Sequence, residues 1–314
     1  MPTPLLQSWN DTKTAESIIN FVKKVTEDEG NYFVPPVERI AVFDNDGTLW
    51  CEKPMYIQLA HGLREIGKMA AARPDVRDRQ PFKAIYEKNL TWLGKVATDY
   101  ANGDPSGILT LASGIAEAFA DISAEQFETD AKEFLTNAQH ERFKVPYMQL
   151  VYKPMVELIK YLQENDFDVW ITSGGGRDFI RTVSEEIYAI PRSKTIGTDI
   201  TFRYTEDQNG VPQIMRNKDL EQPYDDGPGK PLHIHRTTGR KPIFAAGNSN
   251  GDIQMLKYAT SHHRSSFALL VHHDDVEREY AYDQGTEKAL QLASKAGWTV
   301  VSMKNDWKRI FSFQ

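Results

Sequence analysis

Ile40-Ala41-Val42-Phe43, Ile243-Phe244-Ala245-Ala246 and Phe267–Val271 are apolar at every position, and Val169-Trp170-Ile171 sits inside a comparable stretch, Phe167–Thr172. A strand with one wet face alternates apolar and polar residues, whereas continuous runs of this length belong to strands covered on both faces, as in a parallel sheet. Helical periodicity fills the intervals. Ile18, Ile19, Phe21, Val22 and Val25 mark a first helix with Asp11 as a plausible cap, and Met155 to Gln163 marks another before Phe167. Strand and helix in alternation predict a doubly wound α/β domain, with ligands received beyond the carboxyl ends of its strands.

One long segment breaks the alternation. From Met55 to about Gln149 helical spacing dominates: Tyr56, Leu59, Leu63 and Ile66 in one segment, and Tyr86, Leu90, Leu93, Ala97 and Tyr100 in another. Ser123 with Gln126 three residues on has the form of a capping box before Phe127, Ala131, Phe134 and Leu135. These features predict a core built from residues 1–53 and 150–314 and an inserted all-helical cap over 54–149. Within the second core segment, Ile200–Arg216 reads as a hairpin turning at Asn209-Gly210.

The chain carries 37 basic and 44 acidic residues, a net charge of −7, which argues against non-specific nucleic-acid binding. A single cysteine, Cys51, excludes an internal disulfide and a cysteine-rich metal site. The N-terminal residues lack a basic start followed by an apolar core, so a signal peptide is not expected. No apolar run approaches the roughly 18 residues that span a bilayer. A cytoplasmic protein without membrane partners is therefore expected.

The strand ends concentrate the polar chemistry. Asp44-Asn45-Asp46-Gly47, Ser173-Gly174-Gly175, Asn248 to Asp252 and His272-His273-Asp274-Asp275 each follow an apolar run, and Lys230 lies in the loop before the third. Carboxylates, an amide, a hydroxyl, a lysine and a glycine-rich helix start suit Mg²⁺, a hard cation that prefers oxygen, together with a phosphate held by backbone N–H groups.

In this order, DNDGT, TSGG, a later lysine and GNSNGD make the chain resemble the haloacid-dehalogenase-type phosphohydrolases, and within them the phosphoserine-phosphatase-like branch. The resemblance implies a phosphomonoester hydrolase acting on a small phosphorylated metabolite through an aspartyl-phosphate. It implies that Asp44 is the nucleophile, Asp46 the general acid and base, and Ser173 with Gly174 and Gly175 the phosphate cradle, while Lys230 bridges Asp44 and the phosphate. Mg²⁺ would be held by Asp44, the Asp46 main-chain carbonyl and the third-motif loop. The sequence departs from the family at Asn248, where the pattern GDGxND has an aspartate; the expectation is that Asn248 still ligates and that Asp252 compensates, directly or through water.

Alternatives accompany several of these residues. Thr172 competes with Ser173, which could instead be a helix cap, and Lys218 competes with Lys230. His262-His263 and His272-His273 are poor chelating pairs, because strand neighbours point to opposite faces; His272 or His273 could still touch substrate or a second carboxylate. His233 and His235 are two apart on an expected helix and do not share a face. Arg177 and Arg181 read as a solvated helix face, with Arg177 able to reach an anion. Glu52 lies near the position that receives the substrate amine in phosphoserine phosphatases, one residue out of register. Tyr86, Trp92, Tyr100 and Phe119 read chiefly as helix-packing residues of the insertion. A dehalogenase is the less favoured enzyme reading because Asp46 is present, and a phosphate-binding module with a weakened metal loop is the non-catalytic one.

Overall fold

The computed structural model describes residues 6–101, 104, 106–261 and 264–314. The His262-His263 pair, the first five residues and the side chains of Ala97 and Tyr100 lie outside the described residues. Nine strands are present among them: β1 Ile40–Phe43, β2 Asp168–Gly176, β3 Thr195–Thr198, β4 Ile200–Glu206, β5 Pro212–Leu220, β6 Phe244–Gly247, β7 Phe267–Asp274, β8 Ala281–Tyr282 and β9 Thr299–Ser302. Seven form one sheet in the order β3-β2-β1-β6-β7-β8, with β9 pairing β7. All its pairings are parallel except β7 with β8.

The continuous apolar runs have the cause expected of them. Ala41, Phe43, Val169, Ile171, Phe244, Ala246, Leu269 and Val271 pack into one core, and Ile40, Val42, Ala245, Ala268 and Leu270 pack into a second. Alternate residues of each strand thus enter different cores, and both faces of the sheet are covered. The helix Lys13–Thr26 buries Ile18, Phe21, Val22 and Val25 in the first core. Its cap is Thr12, whose side chain accepts from Ala15 N, and not Asp11.

The chain divides into two compact units. One comprises Met1–Pro54, Leu135–Thr198 and Pro223–Gln314; the other comprises Met55–Phe134 and Asp199–Gln222. The second unit differs from the expected helical segment in two ways. Residues 135–149 fall with the sheet, where His140 Nε2 bonds Lys53 O at 2.8 Å and its ring stacks on Phe143. The β4–β5 hairpin falls with the helices, so that unit is not all-helical. The reason is backbone pairing: Arg216 N donates to Ile122 O at 2.9 Å and Asp121 N to Arg216 O at 3.0 Å, while the Arg216 guanidinium lies 3.8 Å from the Phe127 ring centre. The hairpin turns as expected, with Gly210 at φ +76°. Ser123 Oγ accepts from Gln126 N, but the Gln126 amide turns forward to Asp130, so the capping box is half formed.

Ile66, Ala70, Val76, Phe82 and Leu111 form the core of the second unit. Elsewhere in it His61 is fully buried among Phe119, Phe127 and Phe134, with ring centres 4.9, 6.1 and 4.9 Å away. No helix among the described residues is long and apolar enough to cross a membrane.

Burial, aided by Arg64 and Lys68, lowers the His61 imidazole from 6.5 to about 3. The unfolded chain therefore takes up a proton as pH falls through 6.5, while the folded chain stays neutral there; the stabilisation is complete above 6.5 and declines below it. The loss between about pH 8 and about pH 5 should be about 2 kcal/mol. Urea unfolding of the native protein and His61→Leu checks this: the difference between them should shift by that amount across the two conditions.

Candidate active site

β1 ends at Phe43, which faces Ile171 of β2 on one side and Ala246 of β6 on the other. Asp44 N still donates to Ala246 O at 2.9 Å, so the first carboxylate leaves the sheet between two strand ends. The chain then folds back on itself. Asn45 O accepts from Thr48 N, Leu49 N and Trp50 N, and Gly47 N donates to Trp50 O at 2.8 Å. Gly47 is required twice over. Its φ is +71°, and a Cβ there would stand 2.0 Å from Asn248 Nδ2 and 2.8 Å from Glu52 Cδ. Trp50, itself buried, donates its indole N–H to Asp46 Oδ1 at 2.7 Å and so fixes the second carboxylate.

Lys230 is the second residue of the helix Gly229–Thr238 and is 2% exposed. Its Nζ donates to Asp44 Oδ1 at 2.6 Å, Asp252 Oδ1 at 2.7 Å and Thr172 O at 3.1 Å. An ammonium has three N–H donors, and all three are used. Lys218 is exposed on β5 and makes no comparable contact. Asp252 accepts through its other oxygen from Asn248 N, Ser249 N and Ser249 Oγ, closing the loop after β6 as a capping box. Both oxygens of Asp252 are therefore engaged by this chain, one by Lys230 and the other by the loop it closes.

The glycine motif also differs from expectation. β2 continues through Gly176, with a register shift against β3 between Ser173 and Gly176, and the helix begins only at Arg177 and runs five residues. Consecutive glycines gain little from helix formation, and here the extended backbone is held by Thr198, whose hydroxyl donates to Gly174 O at 2.9 Å. Ser173 is fully buried and is not a helix cap; its Oγ accepts from Gly175 N at 3.1 Å. The Thr172 hydroxyl is committed to Asp225 at 2.8 Å. Arg181 Nε donates to Arg192 O at 3.0 Å.

The histidines separate as strand neighbours should. His272 bonds Asp283 at the surface, while His273 is buried, with Nδ1 3.2 Å from Glu279 Oε2 and Nε2 2.8 Å from Gly47 O. His273 thus ties the Gly47 carbonyl, in the turn that carries Asp44 and Asp46, to a buried carboxylate that also receives Cys51 Sγ and the Tyr152 hydroxyl. Burial disfavours charge on Glu279, but these donors, His273 foremost, hold it below its ordinary range. His233 pairs with Asp225 at 3.0 Å. Sequence reasoning missed Trp50, Asp225, Tyr282 and Glu279; only Trp50 carried a local signal, as a member of the DNDGTLW turn.

Charge is unevenly distributed. Burial, reinforced by Asp252, pushes the Asp44 carboxyl well above its usual range, with Lys230 opposing. Burial also raises Asp46 to about 6, with the Trp50 hydrogen bond opposing and Glu52 adding to the rise. Burial works against the Lys230 charge, yet Asp252 and Asp44 outweigh it and hold the ammonium above its ordinary value. Asp44 and Asp252 thus share one ammonium, which Asp46 feels at a distance, while Glu52 is bonded instead by Tyr282 and Asn248. No cluster of three or more His, Cys, Asp or Glu suited to a metal occurs among the described residues. Oxygen donors do converge, however: the Thr48 hydroxyl is 3.4 Å from Asp44 Oδ2 and 3.3 Å from Asn248 Oδ1. A surplus of negative charge around converging carboxylate and amide oxygens fits a hard divalent cation.

The model of the haloacid dehalogenase-like hydrolases matches residues 41–257. No curated protein matches the sequence significantly. Among solved structures, a functionally unknown protein from Anaerococcus prevotii DSM 20548 is similar at a TM-score of 0.56 and 14% identity, covering 92% of this chain and 91% of its own. A protein of unknown function from Bordetella pertussis Tohama I gives 0.52 and 13%, covering 84% and 98%. A phosphoserine phosphohydrolase-like protein from Francisella tularensis gives 0.43 and 16%, covering 84% and 94%. At such identities the first two share the fold.

The two candidate lysines can be told apart by stability. Lys230→Met leaves two buried carboxylates without their ammonium and should cost about 3–5 kcal/mol in urea unfolding. Lys218→Met, on an exposed strand face, should stay within about 0.5 kcal/mol of the native protein.

Proposed function

The chain belongs to the haloacid dehalogenase-like hydrolases, and from that premise we propose that it is a Mg²⁺-dependent phosphatase of small phosphorylated metabolites. The observation that carries this reading is the pair Asp44 and Asp46 on one tight turn, the first buried against Lys230 at 2.6 Å and the second pinned by the Trp50 indole at 2.7 Å. Asp44 is the nucleophile. One carboxylate oxygen is held by Lys230, and the carboxylate forms the aspartyl-phosphate by attack on phosphorus as the P–O bond to the leaving group breaks. Asp46 gives its proton to the departing alkoxide, then takes one from the water that cleaves the acyl phosphate. Asp44, the main-chain carbonyl of Asp46 and the Asn248 amide oxygen would hold Mg²⁺, whose charge offsets that of Asp44 and the phosphate so that two anions can meet. Lys230 keeps Asp44 oriented between Asp252 and the Thr172 carbonyl throughout. Ser173 and the extended Gly174-Gly175 backbone are the proposed phosphate contacts.

Hydrolysis of p-nitrophenyl phosphate, with Mg²⁺ and with a chelator, tests the reading. Turnover should require Mg²⁺, vanish in Asp44→Asn and fall by about 10²- to 10⁴-fold in Asp46→Asn. Absence of turnover at every metal concentration would leave a phosphate-binding module as the better account of the same site. A panel of phosphorylated metabolites would then rank substrates by kcat/KM.

A further inference from the structure

Glu52 lies eight residues beyond Asp44 and is 6% exposed. Its Oε1 accepts the Tyr282 hydroxyl at 2.5 Å and the Asn248 Nδ2 at 3.2 Å. It packs beneath the turn that carries the two aspartates: a Cβ on Gly47 would reach Glu52 Cδ and the Asn248 amide together. Tyr282 is braced from above by Lys53, whose ammonium lies 4.3 Å from the ring centre.

We infer that Glu52 is a positioning residue for the cation site, orienting the Asn248 amide oxygen towards Asp44 and supplying the negative charge that the amide lacks. The inference rests on the proposed Mg²⁺ dependence. An ionised carboxylate only accepts hydrogen bonds, so the side of Asn248 that faces Glu52 must be its NH₂ group. The opposite side, Oδ1, is thereby turned to Thr48, within 3.3 Å of the hydroxyl that also approaches Asp44 Oδ2. A glutamine at position 52 would lose this selectivity, because it can offer either an oxygen or an NH₂ to the asparagine. The hydrogen bond also draws electron density onto Oδ1 and strengthens it as a donor to a hard cation. Asn248 itself is neutral, so one hydrogen bond behind it the Glu52 carboxylate restores a charge to that side of the site. Outer partners of this kind fix ligand orientation and basicity. A role in receiving a substrate amine would compete with the two hydrogen bonds that Oε1 already accepts.

Isothermal titration of Mg²⁺, without substrate, into the native protein and its variants decides the matter. Glu52→Gln should weaken binding by about ten- to a hundredfold, while its melting temperature without metal should be no lower than native, since one of several crowded carboxylates is gone. Adding Asn248→Asp to Glu52→Gln moves the carboxylate across the same hydrogen bond and should recover the lost affinity. Native-like Mg²⁺ binding by Glu52→Gln overturns the inference while leaving the phosphatase reading intact, and a raised KM in that case would place Glu52 on the substrate. A lowered melting temperature that the second substitution does not repair overturns it as well, by showing a merely structural role. Failure of the native protein to bind Mg²⁺ would remove the metal-dependent reading together with this one.

Discussion

The Lys230 ammonium joins three parts of the chain that the sheet brings side by side. Strand order β2-β1-β6 sets the Thr172 carbonyl, the Asp44 carboxylate and the loop ending at Asp252 next to one another, and the ammonium spends its three donors on them. Its reach depends on the residue before it. A Cβ on Gly229 would lie 1.8 Å from Tyr224 O, so only glycine lets the helix start close enough. Asp252, once held, closes the Asn248–Ser249 loop with its second oxygen, and that loop presents Asn248 to Asp44. A buried charge with every donor satisfied organises its surroundings, since moving any partner exposes an unpaired charge in a low-dielectric interior.

A second anchor acts on the same turn from the other side. His273, itself held by Glu279, bonds the Gly47 carbonyl, and Trp50 holds the Asp46 carboxyl. The turn is therefore fixed by side chains from β7, from the segment after it and from its own downstream end. This leaves the aspartates little rotational freedom, which is the condition that the proposed nucleophile and proton donor would need to act in sequence on one centre.

Much of this was legible in the residues alone, for identifiable reasons. Runs such as Ile40–Phe43 and Phe267–Val271 report burial on two faces directly, and the tight turn at Gly47 is encoded within a few residues of Asp44. What escaped was decided at long range. Asp252 meets the Lys230 ammonium, 22 residues earlier, and Glu52 meets Asn248, 196 residues away. Gly174-Gly175-Gly176 satisfied the pattern of a helix start, but pairing with β3 outweighed it. The hairpin was recognised and assigned to the wrong company, because nothing within Ile200–Leu220 records that Ile122 supplies its partner backbone.

The membership of that hairpin bears on the order in which the protein can be made. Residues 199–222 complete a unit whose other part, 55–134, leaves the ribosome much earlier. During synthesis the helices must wait through the whole of β2 and β3 for the β-edge that pairs with Asp121 and Ile122. Excising 55–134 as a contiguous module would likewise strand two β-strands without their neighbours. The smaller unit is thus inseparable in sequence from the larger one that interrupts it.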